Sequence, residues 1–335
     1  MTEGSNALEI LANVIRTCYD VGDVAIPYYL HKAHQHRHRK LVVETAAGKF
    51  MIKTYQRDPV VLDALRFQHR LSSHLDQNGI PVARIKSGKD GKNIVELDTW
   101  ALELQQFVQA EPMEVSAETL AISAAALGRF HLVCHEFPRP QRDTRMWRFS
   151  EVPRAAFGKL YEIAKQQGPE ADATKYCNQI ALFLRDAANE LNWDARNKFE
   201  TGLIHGDWHG GNLLFRDGEL AAVVDLEFAG DGCYLEDMSY AISNLCIRTT
   251  DKPERLLKRV NILLDNYQTY RALSHHEQVA LPYAVGVKHV TTVSYQIVQF
   301  KNAQLAGLSA MEWMQRLADQ CAWLATRARH ARYGR

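Results

Sequence analysis

Leu203–Asn212, read as LIHGDWHGGN, and the triplet Asp225–Glu227, read as DLE, decide how this chain is interpreted. Two apolar residues lead into His205-Gly206-Asp207, and Asn212 follows Asp207 by five positions. Beyond them lie Leu213-Leu214-Phe215, the polar Arg216-Asp217-Gly218-Glu219 and an apolar run, Leu220–Val224, that ends on Asp225. Asp-Gly between two apolar runs predicts a tight β-hairpin. Such a hairpin brings Asn212 and Asp225 together at its open end, with Asp207 on the loop just before it. One Asn and one Asp supply the hard oxygens that magnesium takes while leaving positions for phosphates. A separate carboxylate nearby can orient a hydroxyl and accept its proton.

A catalytic-loop Asp, an Asn a few residues later and a metal-binding Asp beyond form the phosphoryl-transfer arrangement of kinases. The pattern H-G-D-x-x-x-x-N followed by D-x-E resembles the aminoglycoside phosphotransferase and choline kinase-like superfamily, a branch of the protein-kinase-like fold. The resemblance implies an α+β, bilobal architecture. A small antiparallel-sheet N-lobe would span residues 1–108, and a larger, mostly helical C-lobe residues 109–335. It implies Asp207 as catalytic base and Asn212 and Asp225 as magnesium ligands, with Glu227 assisting the metal directly or through water. ATP and Mg2+ are the implied cofactors, and a hydroxyl of a small metabolite is the implied acceptor. An amino alcohol, an amino acid or a sugar would serve, as in choline- or homoserine-type kinases; D-x-E looks more like choline or methylthioribose kinases than aminoglycoside enzymes. The rivals are a bacterial stress-type protein Ser/Thr kinase, an aminoglycoside phosphotransferase and a nucleotide-binding pseudokinase.

Composition narrows the partners. The 335 residues are 46% hydrophobic and carry a formal net charge of +1, so bulk electrostatics point to neither nucleic acid nor membrane. Six scattered cysteines form no C-x-x-C pair and read as reduced thiols in a reducing compartment. No signal-peptide pattern opens the chain and no apolar run is long enough to span a bilayer, so a cytoplasmic protein is expected.

Along the chain, Asn6–Cys18 has helical spacing, with Ser5 or Asn6 available as cap. Val24–Tyr29, Leu41–Thr45 and Gly48–Tyr55 read as strands, the last two joined at Ala46-Ala47-Gly48. Lys53 ends the apolar run Phe50–Ile52, and by position it resembles the family lysine that holds the α- and β-phosphates. Between the first two strands, His31–Lys40 has no glycine where many kinases carry a glycine-rich loop. It reads as a solvated loop, a basic cover for the triphosphate, or a histidine metal site. The helix expected over Val61–Leu75 offers Gln68 where kinases place the Glu that pairs with the lysine; Glu103 or Glu96 could substitute. Val82–Ser87 and Asn93–Leu97 read as a hairpin turning at Lys89–Lys92. Ala101–Val108 leads into the break at Gln109–Pro112, and the resemblance lays Gln106, Phe107 and Val108 beside the adenine.

Helical sequence then dominates. Ser116 with Glu118 or Thr119 starts a helix to Cys134, on which His131 reads as a hydrogen-bonded core histidine. Pro138–Pro153 interleaves Arg139, Arg142, Arg145 and Arg148 with Trp147, as a solvated connector or an anion-binding segment. Phe157–Gln166 and Lys175–Leu191 continue as amphipathic helices. His205 is expected to support the loop, while Trp208 and His209 either shape the acceptor pocket or pack. Phe228–Cys233 reads as a short loop where protein kinases carry a long activation segment. Asp237 resembles a structural family Asp that ties the next helix, Met238–Cys246, to the catalytic loop; a plain helix cap is the other reading. Pro253–Arg271, His276–Phe300 and Ser309–Arg332 complete the helices.

Overall fold

Pro59 and Gly79 bracket the helix whose inner face completes the nucleotide-site expectation, and the local chemistry shows why it forms. In a computed structural model describing residues 3–30, 41–139, 152, 154–248, 253–299 and 304–334, this helix runs Pro59–Gln77. Asp58 caps it by accepting the amides of Val60 and Val61 at 2.9 and 3.2 Å, and Pro59 fills the first turn, where no N–H is needed. Gly79, at φ 72°, ends it. The Ile80 N–H reaches back to Leu75 O and the Gly79 N–H to Asp76 O, the paired bonds of a Schellman stop. His31–Lys40 lies outside the described residues, as do Arg142, Arg145, Trp147 and Arg148.

By their contacts the residues form two compact units, 1–111 with 214–227, and 112–213 with 228–335. In the first, α1 (Glu3–Cys18) is followed by β1 (Tyr28–Tyr29), β2 (Leu41–Thr45), β3 (Gly48–Gln56), α2 (Pro59–Gln77), β4 (Ile85–Lys86), β5 (Val95–Glu96) and β6 (Trp100–Gln106). The sheet is antiparallel in the order β1-β2-β3-β6-β4, with β5 also on β6. Period-2 alternation divides its faces. Phe50, Ile52, Leu102 and Leu104 pack with Leu11, Ile15 and Tyr19 of α1. Tyr55 and Ala101 point the other way, into Leu62 and Leu65 of α2. Lys53 and Glu103, directly paired across β3 and β6, share that second face.

Several expected boundaries move. Helix α1 begins at Glu3, so Ser5 and Asn6 lie inside it rather than capping it. Of Val24–Tyr29 only Tyr28–Tyr29 forms a strand, with Val24 an isolated bridge, because Pro27 has no N–H to give the ladder. Val82–Ser87 and Asn93–Leu97 shrink to β4 and β5, which lie in succession along one edge of β6 instead of pairing with each other. The hairpin after Asn212 forms as expected, from Leu213–Arg216 and Glu219–Val223. Its turn residues Asp217 and Gly218 both have positive φ, 53° and 82°, as a type I′ turn requires. The Val223 N–H donates to Pro81 O at 2.8 Å, which ties the hairpin into the first unit.

The second unit is helical: α3 (Ala117–Cys134), α4 (Arg154–Gln167), α5 (Glu170–Glu190), α6 (Trp193–Arg196), α7 (Tyr234–Ala241), α8 (Pro253–Tyr267), α9 (His275–Gln299) and α10 (Ala310–Tyr333). Ser116 and Thr119 form the reciprocal capping box of α3. Helix α9 is buried along most of its length and packs on α4, α5, α7 and α10. Phe228–Cys233 is not simply a loop: Gly230–Cys233 is a strand, antiparallel to Thr201–Ile204, and it brings the chain back beside the stretch that enters the catalytic loop. Helix α7 continues without a break into a π-helical segment, Ile242–Ile247. Among the described residues no helix is long and apolar enough to cross a membrane.

Candidate active site

The loop after Thr201–Ile204 is held from beneath by one buried carboxylate. Asp237, in the first turn of α7, accepts the backbone N–H of His205 through Oδ2 and that of Gly206 through Oδ1, each at 2.7 Å. His131 of α3 reaches the same Oδ2 through Nε2 at 3.0 Å, and its Nδ1 meets the Tyr267 hydroxyl at 2.8 Å. Asp237 can only accept, so the neutral His131 ring carries its proton on Nε2 and takes the Tyr267 proton on Nδ1. Burial pushes the Asp237 carboxyl up, but His131 and the two amides outweigh it and hold the group below the ordinary Asp range. Asp237 therefore ties helix to loop, and His131 is the hydrogen-bonded core histidine expected. Gly206 is needed at φ 80°, since a Cβ there would meet Phe228 O at 2.6 Å.

On that base sits Asp207. Its amide donates to His205 Nδ1 at 3.2 Å, the support expected of His205. Its Oδ2 receives Asn212 Nδ2 at 2.9 Å and lies 3.3 Å from His209 Nε2. The Tyr240 hydroxyl lies near the same carboxylate. His209 Nδ1 accepts the Gly211 N–H at 3.0 Å, so the neutral ring has its proton on Nε2, facing Asp207. Burial raises the Asp207 carboxyl, yet His209 and Tyr240 beside it prevail and keep it below its usual value. Asn212 spends its amide N–H groups on Asp207 O, at 3.0 Å, and on Oδ2, so its carboxamide oxygen is the end that could meet a cation. Trp208 packs: it is fully buried, with Nε1 donating to Ser123 Oγ at 3.0 Å.

Lys53 and Asp225 come together separately, in the first unit, where with Gln68, His69, Ser72 and Gln105 they line one small cavity. Gln68 does reach that cavity, but the acid opposite Lys53 is Glu103, its cross-strand partner. Glu103 is buried and binds His69 Nε2 of α2, the Tyr55 hydroxyl at 3.1 Å and Gln105 Nε2 at 2.7 Å. Burial would raise this carboxyl; the His69 hydrogen bond and the Lys53 charge more than offset it and hold it low. The sequence ranked no carboxylate for this role, because cross-strand register is not a local property.

Asp225 has φ 67°, a left-handed backbone that costs a non-glycine residue on the order of 1 kcal/mol and that Asp tolerates better than most. Glu227 follows in the 3-10 turn Leu226–Phe228, half-buried. The Gln106 amide donates to Arg84 O at 2.7 Å and that of Phe107 to Lys49 O at 3.0 Å. Both amides are committed within the sheet unit. Among the described residues no three His, Cys, Asp or Glu side chains gather to hold a metal alone. An oxygen donor set of Asn and carboxylates completed by phosphates suits Mg2+. Tyr240 and His69 escaped the sequence reading; Tyr240 sits one helical turn after Asp237, the only signal that could have marked it.

Residues 33–273 match the model of the phosphotransferase enzyme family, and the chain belongs to that family. It is an ATP-dependent phosphotransferase that acts on hydroxyl groups. The homoserine kinase of Nitrobacter hamburgensis is 24% identical over 321 residues, covering 94% of this chain and 92% of the relative. Among solved structures, the microcompartment-associated aminopropanol kinase superposes with a TM-score of 0.69 at 17% identity, covering 96% of this chain and 98% of that one. An amicoumacin kinase in complex with AMP-PNP, Ca2+ and Ami gives 0.64 at 17%, covering 99% and 96%. These likenesses confirm the protein-kinase-like fold.

Two outcomes follow from the buried carboxylates. Asp237→Ala strands two buried N–H groups and is expected to lower the unfolding free energy by about 3 kcal/mol in urea titrations; a loss below about 1 kcal/mol would remove the carboxylate from its tethering role. Asp237 and Glu103 both have folded pKa values below their unfolded ones, so their contribution is complete above about pH 4–5 and is lost as pH falls further. Acid titration of the wild type should show that loss, and Glu103→Gln should flatten part of it; an identical acid limb in the variant would contradict the assignment.

Proposed function

We propose that this protein moves the γ-phosphate of Mg-ATP to a hydroxyl of a small metabolite, an amino alcohol, amino acid or sugar. The observation that carries the reading is Asp207: ionised, held by Asn212 with His209 and Tyr240 beside it, and mounted on a backbone clamped by Asp237. The full-length similarity to homoserine kinases and the fold of an aminopropanol kinase support a short hydroxylated acceptor. Free cysteines at all six positions favour a cytoplasmic setting. No partner in nucleic acid or membrane is invoked.

In this reading Asp207 receives the acceptor hydroxyl as a hydrogen-bond donor and fixes the direction of its oxygen lone pair. A carboxylate held below its usual pKa is a weak base, so it orients first and takes the proton late, as a loose phosphoryl-transfer transition state allows. Lys53 holds the upstream phosphates with Glu103 setting the local charge, and the Val108 backbone meets the base. Asn212, Asp225 and Glu227 would hold the divalent ion, which when bound neutralises charge on the β- and γ-phosphates.

The direct test is transfer of labelled γ-phosphate from Mg-ATP into a metabolite extract, with Asp207→Asn alongside. A labelled small molecule is expected with the wild type only; label in protein instead would favour a protein kinase. Asp207→Asn should lose about a thousandfold or more in turnover while still binding nucleotide; substantial surviving turnover removes Asp207 from this role. Asp225→Ala should abolish the magnesium-dependent part of nucleotide binding in fluorescence titrations, and unchanged binding would refute that ligand.

A further inference from the structure

The helix that carries Asp237 buries every side chain from Tyr234 to Ile247 except two, Tyr240 and Asn244. Arg248, which ends the π segment, is also half open. These three recur at intervals of four, so one stripe of this helix faces outward and it consists of a phenol, a carboxamide and a guanidinium. The stripe starts at the reacting end, because Tyr240 lies beside Asp207. It finishes on Arg248, whose amide closes the last π turn onto Ser243 O at 3.0 Å. Such π segments are rare, and they concentrate at functional positions.

Arg248 has a neutral side chain as its hydrogen-bond partner. Its Nη1 donates to Gln296 Oε1 of α9 at 3.1 Å, and among the described residues no carboxylate lies within ion-pair distance of it. Elsewhere in the unit two half-buried guanidiniums are paired with acids: Arg271 with Glu200 and Glu277, and Arg196 with Glu236. Burial holds Arg248 below the ordinary arginine pKa, yet a guanidinium remains charged at any working pH. A guanidinium that spends one N–H on a neutral amide has further N–H groups to offer an anion. The planar fork suits one anion in particular, a carboxylate bound through two oxygens.

We propose that Arg248 binds a carboxylate of the acceptor, so that the substrate is a short hydroxy acid held by its hydroxyl at Asp207 and by its carboxylate at the far end of the stripe. This rests on the phosphotransfer reading of Asp207 and selects, among the acceptors open to it, a hydroxylated amino acid over an amino alcohol or a neutral sugar. Tyr240 and Asn244 lie between the two ends and supply hydrogen-bonding groups to the middle of such a molecule.

L-Homoserine and 3-aminopropan-1-ol make a matched pair, since they share the hydroxyl and the amine and differ by the carboxylate. The wild type should favour L-homoserine in kcat/KM by about 10- to 100-fold, the worth of a charge-assisted hydrogen bond. In Arg248→Gln that ratio should fall toward unity, mainly through KM for L-homoserine, and Arg248→Lys should fall between the two. The lysine variant keeps the charge and most of the bulk, so it tests the idea even if the glutamine variant folds poorly. Equal use of both acceptors by the wild type, or an unchanged ratio in the variants, overturns the proposal. Calorimetric titration of L-homoserine into wild type and variants separates it from the phosphotransfer reading. Binding lost in Arg248→Gln without turnover in either protein would keep the carboxylate site and sink phosphotransfer to this acceptor. Equal binding to both proteins, or none to the wild type, would sink the carboxylate site itself.

Discussion

The loop that carries Asp207 depends on one ion buried where ions are expensive. Asp237 is wholly enclosed, and it stays charged because three donors converge on it: the amides of His205 and Gly206, and the ring of His131. Each bond satisfies a donor that would otherwise be stranded, so the loss of the carboxylate costs more than the bonds taken one by one. The two amides belong to the residues immediately before Asp207. Its direction is thus imposed through the backbone, which a glycine at positive φ allows to pass close under Phe228. His131 and Tyr267 extend the same chain of bonds into α3 and α8, coupling the loop to the helical core.

A second buried carboxylate does comparable work in the first unit. Glu103 and Asp237 are both held ionised by a histidine from a neighbouring helix, His69 in one case and His131 in the other. In both, hydrogen bonding beats desolvation, and in both the carboxylate serves a neighbour rather than reacting. Asp207 shares the electrostatic pattern but keeps part of its side chain open, 13% exposed against none for Asp237. That difference in access, more than any difference in charge, separates a group that can meet an acceptor from groups that fix geometry.

Much of this was legible because the deciding signals are local. Asp217-Gly218 dictates a left-handed turn, Ser116 and Thr119 close a capping box within four residues, and Asp207 and Asn212 lie near enough in sequence to find each other. Distant pairings were harder to read. Nothing near Lys53 announces Glu103, since the register of β3 against β6 is set by the whole apolar pattern of both strands. The same limit hid Tyr240 from Asp207 and made a loop of Gly230–Cys233, whose partner strand lies before the catalytic loop. Pro27 was a visible local signal that outweighed the apolar run around it. The α1 cap failed because the helix begins upstream of the residues best suited to start one.

Placing the counter-charge of Lys53 on a strand has consequences for control. An acid carried by a helix can be withdrawn by swinging the helix outward, and a kinase built that way has a resting posture and an armed one. Here the acid faces Lys53 through a ladder that runs without interruption from Phe50↔Gln106 to Gln56↔Trp100. Separating the two would mean unzipping the sheet. Whatever Lys53 holds, its electrostatic setting is as durable as the ladder itself.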